Sequence, residues 1–128
     1  MDNRSILDFF DAPEREKVRS QFFDDFYETR RNWAACLGVS RVTIWRWESE
    51  IIKMVWVILQ DYQCDRTHLD NYQRFILTTI YALKQGFVLG YKANNEKVKE
   101  YLKKQQTQLT RQQFDNWIAK YDHQRPTI

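Results

Sequence analysis

Glycine and proline are scarce in this chain of 128 residues, with three Gly and two Pro. That scarcity excludes turn-dense sandwiches and barrels, which need turn residues between many short strands. Cysteine is limited to Cys36 and Cys64 without paired spacing, which excludes a disulfide framework and a cysteine-based zinc site. In a reducing compartment both are expected as buried thiols. No apolar run approaches the roughly 18 residues of a membrane-spanning helix. The opening MDNRSILDFFDA is acidic and has no signal-like core. No membrane contact and a cytoplasmic location are therefore expected, nucleoid-associated in a bacterium. Enzyme signatures are missing as well: there is no Ser/His/Asp set, phosphate-cradling Gly loop, HExxH motif or Cys/His metal pattern. No catalytic residue, cofactor or metal is expected.

What the chain does hold is apolar and aromatic mass, 43% and 16% of residues, enough for a packed core. Its length suits one domain. Net charge is +3 but unevenly spread. Residues 1–29 carry four basic and eight acidic side chains, whereas 84–128 carry nine basic and four acidic. Such a gradient orients a molecule in the field of a phosphate backbone.

The stretch that organises the rest is residues 29–50, TRRNWAACLGVSRVTIWRWESE. Thr29 is an N-cap, and Trp33, Ala34 and Leu37 share a helical face. Gly38 follows, where a left-handed backbone is wanted. Ser40 caps a second helix that turns Ile44 and Trp47 inward and Arg41, Thr43 and Arg46 elsewhere. Ala34 is small where two crossing helices come close. This is the layout of a helix-turn-helix. At Ala34 to Glu48, AxxxGVSRxTIxRWE, the sequence resembles the repressor/Cro-type helix-turn-helix of bacterial and phage regulators. Trp33 departs from the Leu usual in that family.

Elsewhere the reading is all-α, five to seven helices in a compact bundle around the helix-turn-helix. Ile6, Leu7, Phe9 and Phe10 are expected as an arm over the core. A helix is expected over 11–28, with Val18, Phe22 and Phe26 on one stripe and a solvated acidic group, Asp24, Asp25 and Glu28, near its end. Residues 51–59, IIKMVWVIL, are apolar except Lys53. They read as helix, with strand as the alternative, and the run is a candidate homodimer seam or protein-partner surface, with internal core as its rival. Asp65 or Thr67 is expected to cap a helix holding Leu69, Tyr72, Ile76, Ile80 and Leu83, which Gly86 stops. Asn94 or Asn95 opens a basic helix, and a Thr110–Gln113 capping box opens a last one burying Phe114, Trp117, Ile118 and Tyr121. Residues 123–128 read as a frayed end. The first 62 residues would form the DNA-binding core and 63–128 a helical C-terminal part of the same domain.

The resemblance implies a sequence-specific binder of double-stranded DNA, most simply a transcriptional regulator of a bacterium, phage or mobile element. The helix from Arg41 would enter the major groove. Arg41 and Arg46 would read guanine, and Val42 a thymine methyl. Thr29, Arg30, Ser40 and Thr43 would clamp phosphates, with Arg31 beside them. Trp45 would face the backbone or, preferably, cover Met54 and the run behind it. A second contact is conceivable at Arg111, Gln112 and Asn116, because LTRQQFDNW repeats the pattern of VSRVTIWRW. The rival function is an assembly protein of DNA processing, similar to a terminase small subunit or a transposition accessory factor.

Overall fold

Caps written into the sequence set most of the helix starts. The computed structural model of the chain describes residues 5–23 and 26–121; Asp24, Asp25 and residues 123–128 lie outside that description. Ser5 accepts the Asp8 N–H and opens α1, Ile6–Asp11. The apolar stretch expected as an arm is therefore a helix, with Ile6, Phe9 and Phe10 buried. Pro13 disfavours helical backbone at Ala12, whose ψ is 141°, and α1 ends there. After a 3-10 turn at Pro13–Arg15, α2 covers only Glu16–Ser20. The single helix expected over 11–28 is thus corrected to a turn and a short helix. Phe22 stays in the core, whereas Phe26 lies outside it.

Helices α3, Arg30–Leu37, and α4, Arg41–Glu50, begin at the expected caps Thr29 and Ser40. The chain then bends without Gly or Pro. Ile51 ends α4, Ile52–Met54 is a 3-10 turn, Val55 is extended, and α5 spans Trp56–Tyr62. The bend lets Ile51, Ile52, Val55 and Ile58 all face inward, none more than 1% exposed. These four side chains belong to the internal core, the rival to a dimer seam that the sequence left open. Of the run's apolar side chains, only Met54 and Trp56 stay largely outside, 56% and 69% exposed, beside the exposed Lys53.

Asp70, rather than Asp65 or Thr67, caps α6, Asn71–Lys84, in a reciprocal box with Gln73. Leu69 lies before it, exchanging backbone hydrogen bonds with Glu28 in an isolated antiparallel bridge. Helix α6 is the centre of the bundle, buried on every side from Tyr72 to Ile80. Polar side chains buried in this stretch reach backbone carbonyls: Thr78 and Thr79 donate to those one turn back, and Arg74 Nη1 donates to Phe26 O at 2.6 Å. The Arg74 guanidinium also lies 4.1 Å from the centre of the Phe26 ring. Gly86, at φ +85°, follows the helix, and a Cβ there would come within 3.2 Å of the Tyr91 backbone.

Asn94 opens α7, Asn95–Lys104, and Thr110 opens α8, Arg111–Ala119. Phe114 and Trp117 of α8 meet Phe75 of α6 with ring centres 4.9 and 5.7 Å apart, and Phe10 and Phe22 close the same cluster. The described residues are all helical or loop apart from the one bridge, in eight α-helices rather than five to seven. The additional helix is α1, expected as an arm. No helix among the described residues is long and apolar enough to cross a membrane.

Burial separates neighbours in the bent run. Ile58→Ala is expected to cost about 3 kcal/mol, and Trp56→Ala less than about 0.5 kcal/mol, by urea denaturation. Equal effects would place the run wrongly.

Candidate functional site

Gly38 takes φ 76° and ψ 28°, and the Val39 N–H reaches back to Ala34 O at 2.9 Å. Nothing lies within 4 Å of a Cβ built at Gly38, so its φ alone is the constraint. This cap sets α3 against α4 with Trp33, Ala34, Ile44 and Trp47 buried between them and the core. The opposite side of α4 is open. Arg41, Val42, Trp45 and Arg46 are exposed, as is Arg31 at the start of α3.

Trp45 is 63% exposed. The indole is thus open rather than packed over the run behind it, whose Ile51, Ile52, Val55 and Ile58 are buried elsewhere and whose Met54 is itself 56% exposed. Thr29 and Ser40 serve as caps, accepting from the Asn32 and Thr43 N–H groups at 3.1 Å. The Thr43 hydroxyl bonds that of Ser40 at 3.0 Å.

Arg30 belongs to the interior. Its Nε donates to both oxygens of the buried Glu48 carboxylate at 2.9 and 3.0 Å. Its Nη1 donates to the carbonyls of Arg66 and Thr67 at 2.7 and 3.2 Å, and its Nη2 to that of Cys64 at 3.2 Å. The Tyr62 hydroxyl completes the set, donating to Glu48 Oε2 at 2.7 Å. Burial works against the Arg30 charge, but the hydrogen bond and charge of Glu48 outweigh it and raise the guanidinium pKa. Burial, reinforced by the Glu48 charge, pushes the Tyr62 phenol well above its usual range. Four of its five N–H donors and its charge are thus engaged inside the protein, which leaves one Nη2 hydrogen for any outside partner.

The carbonyls that Arg30 holds belong to the loop between α5 and α6. Gln63 enters that loop at φ 59°, the one positive φ of a non-glycine residue among those described. Gln73 fixes it from beneath, donating to the carbonyls of Tyr62 and Gln63 at 2.6 and 3.2 Å. The loop thereby stands beside α4, and a cleft of about 760 Å³ runs between them. Thr29, Arg31, Arg41, Val42 and Trp45 line one side, with Cys64, Thr67 and His68 on the other and Arg30 and Glu48 between. Since Arg30 and Tyr62 answer the Glu48 charge, the free charge among the described residues of the cleft is that of Arg31 and Arg41. A cationic cleft with an open indole suits an anion carrying flat apolar groups.

Thr67 and His68 were not legible as site residues, because the loop has no periodicity and reaches α4 only through tertiary contacts. Arg111 also changes role. Its guanidinium donates to Asp61 O at 2.7 Å and pairs with Asp70 at 2.9 Å, over the Tyr72 ring. Gln112 and Asn116, which bond each other at 3.1 Å, are thus left without it on the α8 surface. Cys36, expected to be buried, is exposed. Among the described residues no three His, Cys, Asp or Glu side chains come together as a metal site. Comparison with protein-family models, with curated proteins and with solved structures finds no match to the chain.

Removing Arg30 strands a buried carboxylate. Arg30→Ala is expected to cost about 3 kcal/mol, a fall in melting temperature on the order of 10 °C. Pairing Arg30→Met with Glu48→Leu should recover most of that loss, since the unpaired charge then goes as well. A loss in the double variant equal to that of Arg30→Ala would refute the pairing account. The thiols should also differ in reactivity. Burial, with the Glu48 charge, raises the Cys64 pKa, so a maleimide should label Cys36 well before Cys64 in the folded protein. Simultaneous labelling would contradict the placement of the loop.

Proposed function

We propose that this protein binds double-stranded DNA in a sequence-specific manner, with α4 laid in the major groove, and acts as a transcriptional regulator of a bacterium, phage or mobile element. The observation that carries the reading is the division of α4. One side, Ile44, Trp47 and Glu48, is locked into the core, while Arg41, Val42, Trp45 and Arg46 are presented outward from a Ser40-capped start. The resemblance of residues 34–48 to the repressor/Cro-type helix-turn-helix supports the same assignment.

Arg41 and Arg46 read guanine edges and Val42 meets a thymine methyl. Arg31 takes the phosphate role first given to Arg30. Trp45 packs its open indole on a deoxyribose or a thymine methyl. Thr29, Ser40 and Thr43 hold the two helix starts in place and border the DNA. No catalytic step or cofactor is part of this reading. The second contact through Arg111 is not retained, because that guanidinium is held by Asp61 and Asp70. A homodimer through residues 51–59 is not retained either.

The exposed pair Met54 and Trp56 favours one rival, an assembly protein of DNA processing that joins a partner through the turn after α4. Light scattering of the protein with duplex DNA separates the two. A ring or filament supports the assembly reading, and a small defined complex supports the regulator.

In competition binding, Arg41→Ala and Arg46→Ala should each lose roughly 1–3 kcal/mol of discrimination between duplexes while melting as the wild type does. Arg31→Ala should weaken all duplexes alike and lower the slope of log K against log salt by about one. Unchanged sequence preference in Arg41→Ala would put α4 outside the groove.

A further inference from the structure

We propose that the loop between α5 and α6 is the second half of this DNA-binding surface, resting on the backbone phosphates beside the groove that α4 enters. The inference rests on the DNA-binding reading above. Thr67 and His68 face Arg31 and Arg41 across the cleft. The same two residues, with Tyr27 and Arg66, shape an adjoining hollow of about 550 Å³, so the surface continues past the cleft.

The loop's backbone is held, while its Thr67 and His68 side chains are idle. Carbonyls of Gln63, Cys64, Arg66 and Thr67 accept from Gln73 and Arg30, and Leu69 pairs with Glu28. Among the described residues, no hydrogen bond occupies the side chains of Tyr27, Thr67 or His68, all of which are exposed. A fold that needed this loop only for packing would use or shorten those side chains. A loop built to meet a ligand keeps its backbone rigid and its donors free.

The donors available are a hydroxyl, a phenol and an imidazole, with the Arg66 guanidinium that also reaches Asp70 at 3.2 Å. They are groups that bond phosphate oxygens without reading bases. Charge favours the same occupant. Among the described residues, Glu48 is the sole acidic side chain lining either hollow, and Arg30 matches it. Asp65, the exposed acid of the loop, lines neither.

The test compares wild type, Tyr27→Ala/Thr67→Ala/His68→Ala and Arg41→Ala, each the full chain, for binding to mixed-sequence duplex DNA with phosphate-ethylation interference. The triple variant should melt as the wild type does, bind roughly tenfold more weakly on every sequence, and lose interference at phosphates flanking the groove. Thr67→Lys should tighten binding and steepen the salt slope by about one, a gain that no folding defect produces. Wild-type binding and interference in the triple variant, with Arg41→Ala impaired, would overturn the loop's role and leave the α4 reading standing. A flat response to Thr67→Lys would overturn it equally. If the wild type failed to bind duplex DNA at all, both would fall.

Discussion

A carboxylate buried as deeply as Glu48 must have a cation, and Arg30 is the one within reach. Because guanidinium has five donors in a rigid fork, meeting Glu48 leaves others pointing away from it. Those take the carbonyls of Cys64, Arg66 and Thr67. One ion pair therefore joins the start of α3, the last turns of α4 and the loop before α6. The distance between α4 and that loop, and hence the width of the cleft, depends on it.

Behind the cleft the same pattern recurs. Arg74 gathers the carbonyls of Phe26 and Gln21 onto the central helix, and Arg111 ties α8 to Asp61 and Asp70. Arg30 and Arg74 hold carbonyls that lie outside the helices, and Arg111 holds one in the last turn of α5. This suits a chain poor in glycine and proline, whose connections cannot all close as standard tight turns.

Local features were legible in the sequence. Thr29, Ser40, Asn94 and Thr110 act on N–H groups three residues away, and Gly38 answers to its own φ, so nothing distant is needed to foresee them. The open side of α4 was likewise written in its 3.6-residue period. The fates of Arg30, Arg74 and Arg111 were not, since a guanidinium looks the same in sequence whether it meets a carbonyl or water. The bend after Ile51 left no sign either. In an unbroken apolar run, burial on all sides decides the path, and periodicity is silent there. The loop carrying Thr67 and His68 became part of the site only because Arg30 and Gln73 draw it in.

An exposed helix side rich in arginine, beside a held loop, acts on DNA only if it distinguishes one duplex from another. Selection of bound sequences from a random duplex pool by the wild-type protein measures that directly. Enrichment of a short consensus is the predicted result. Recovery of the pool without enrichment would contradict the assignment of α4 as a recognition helix.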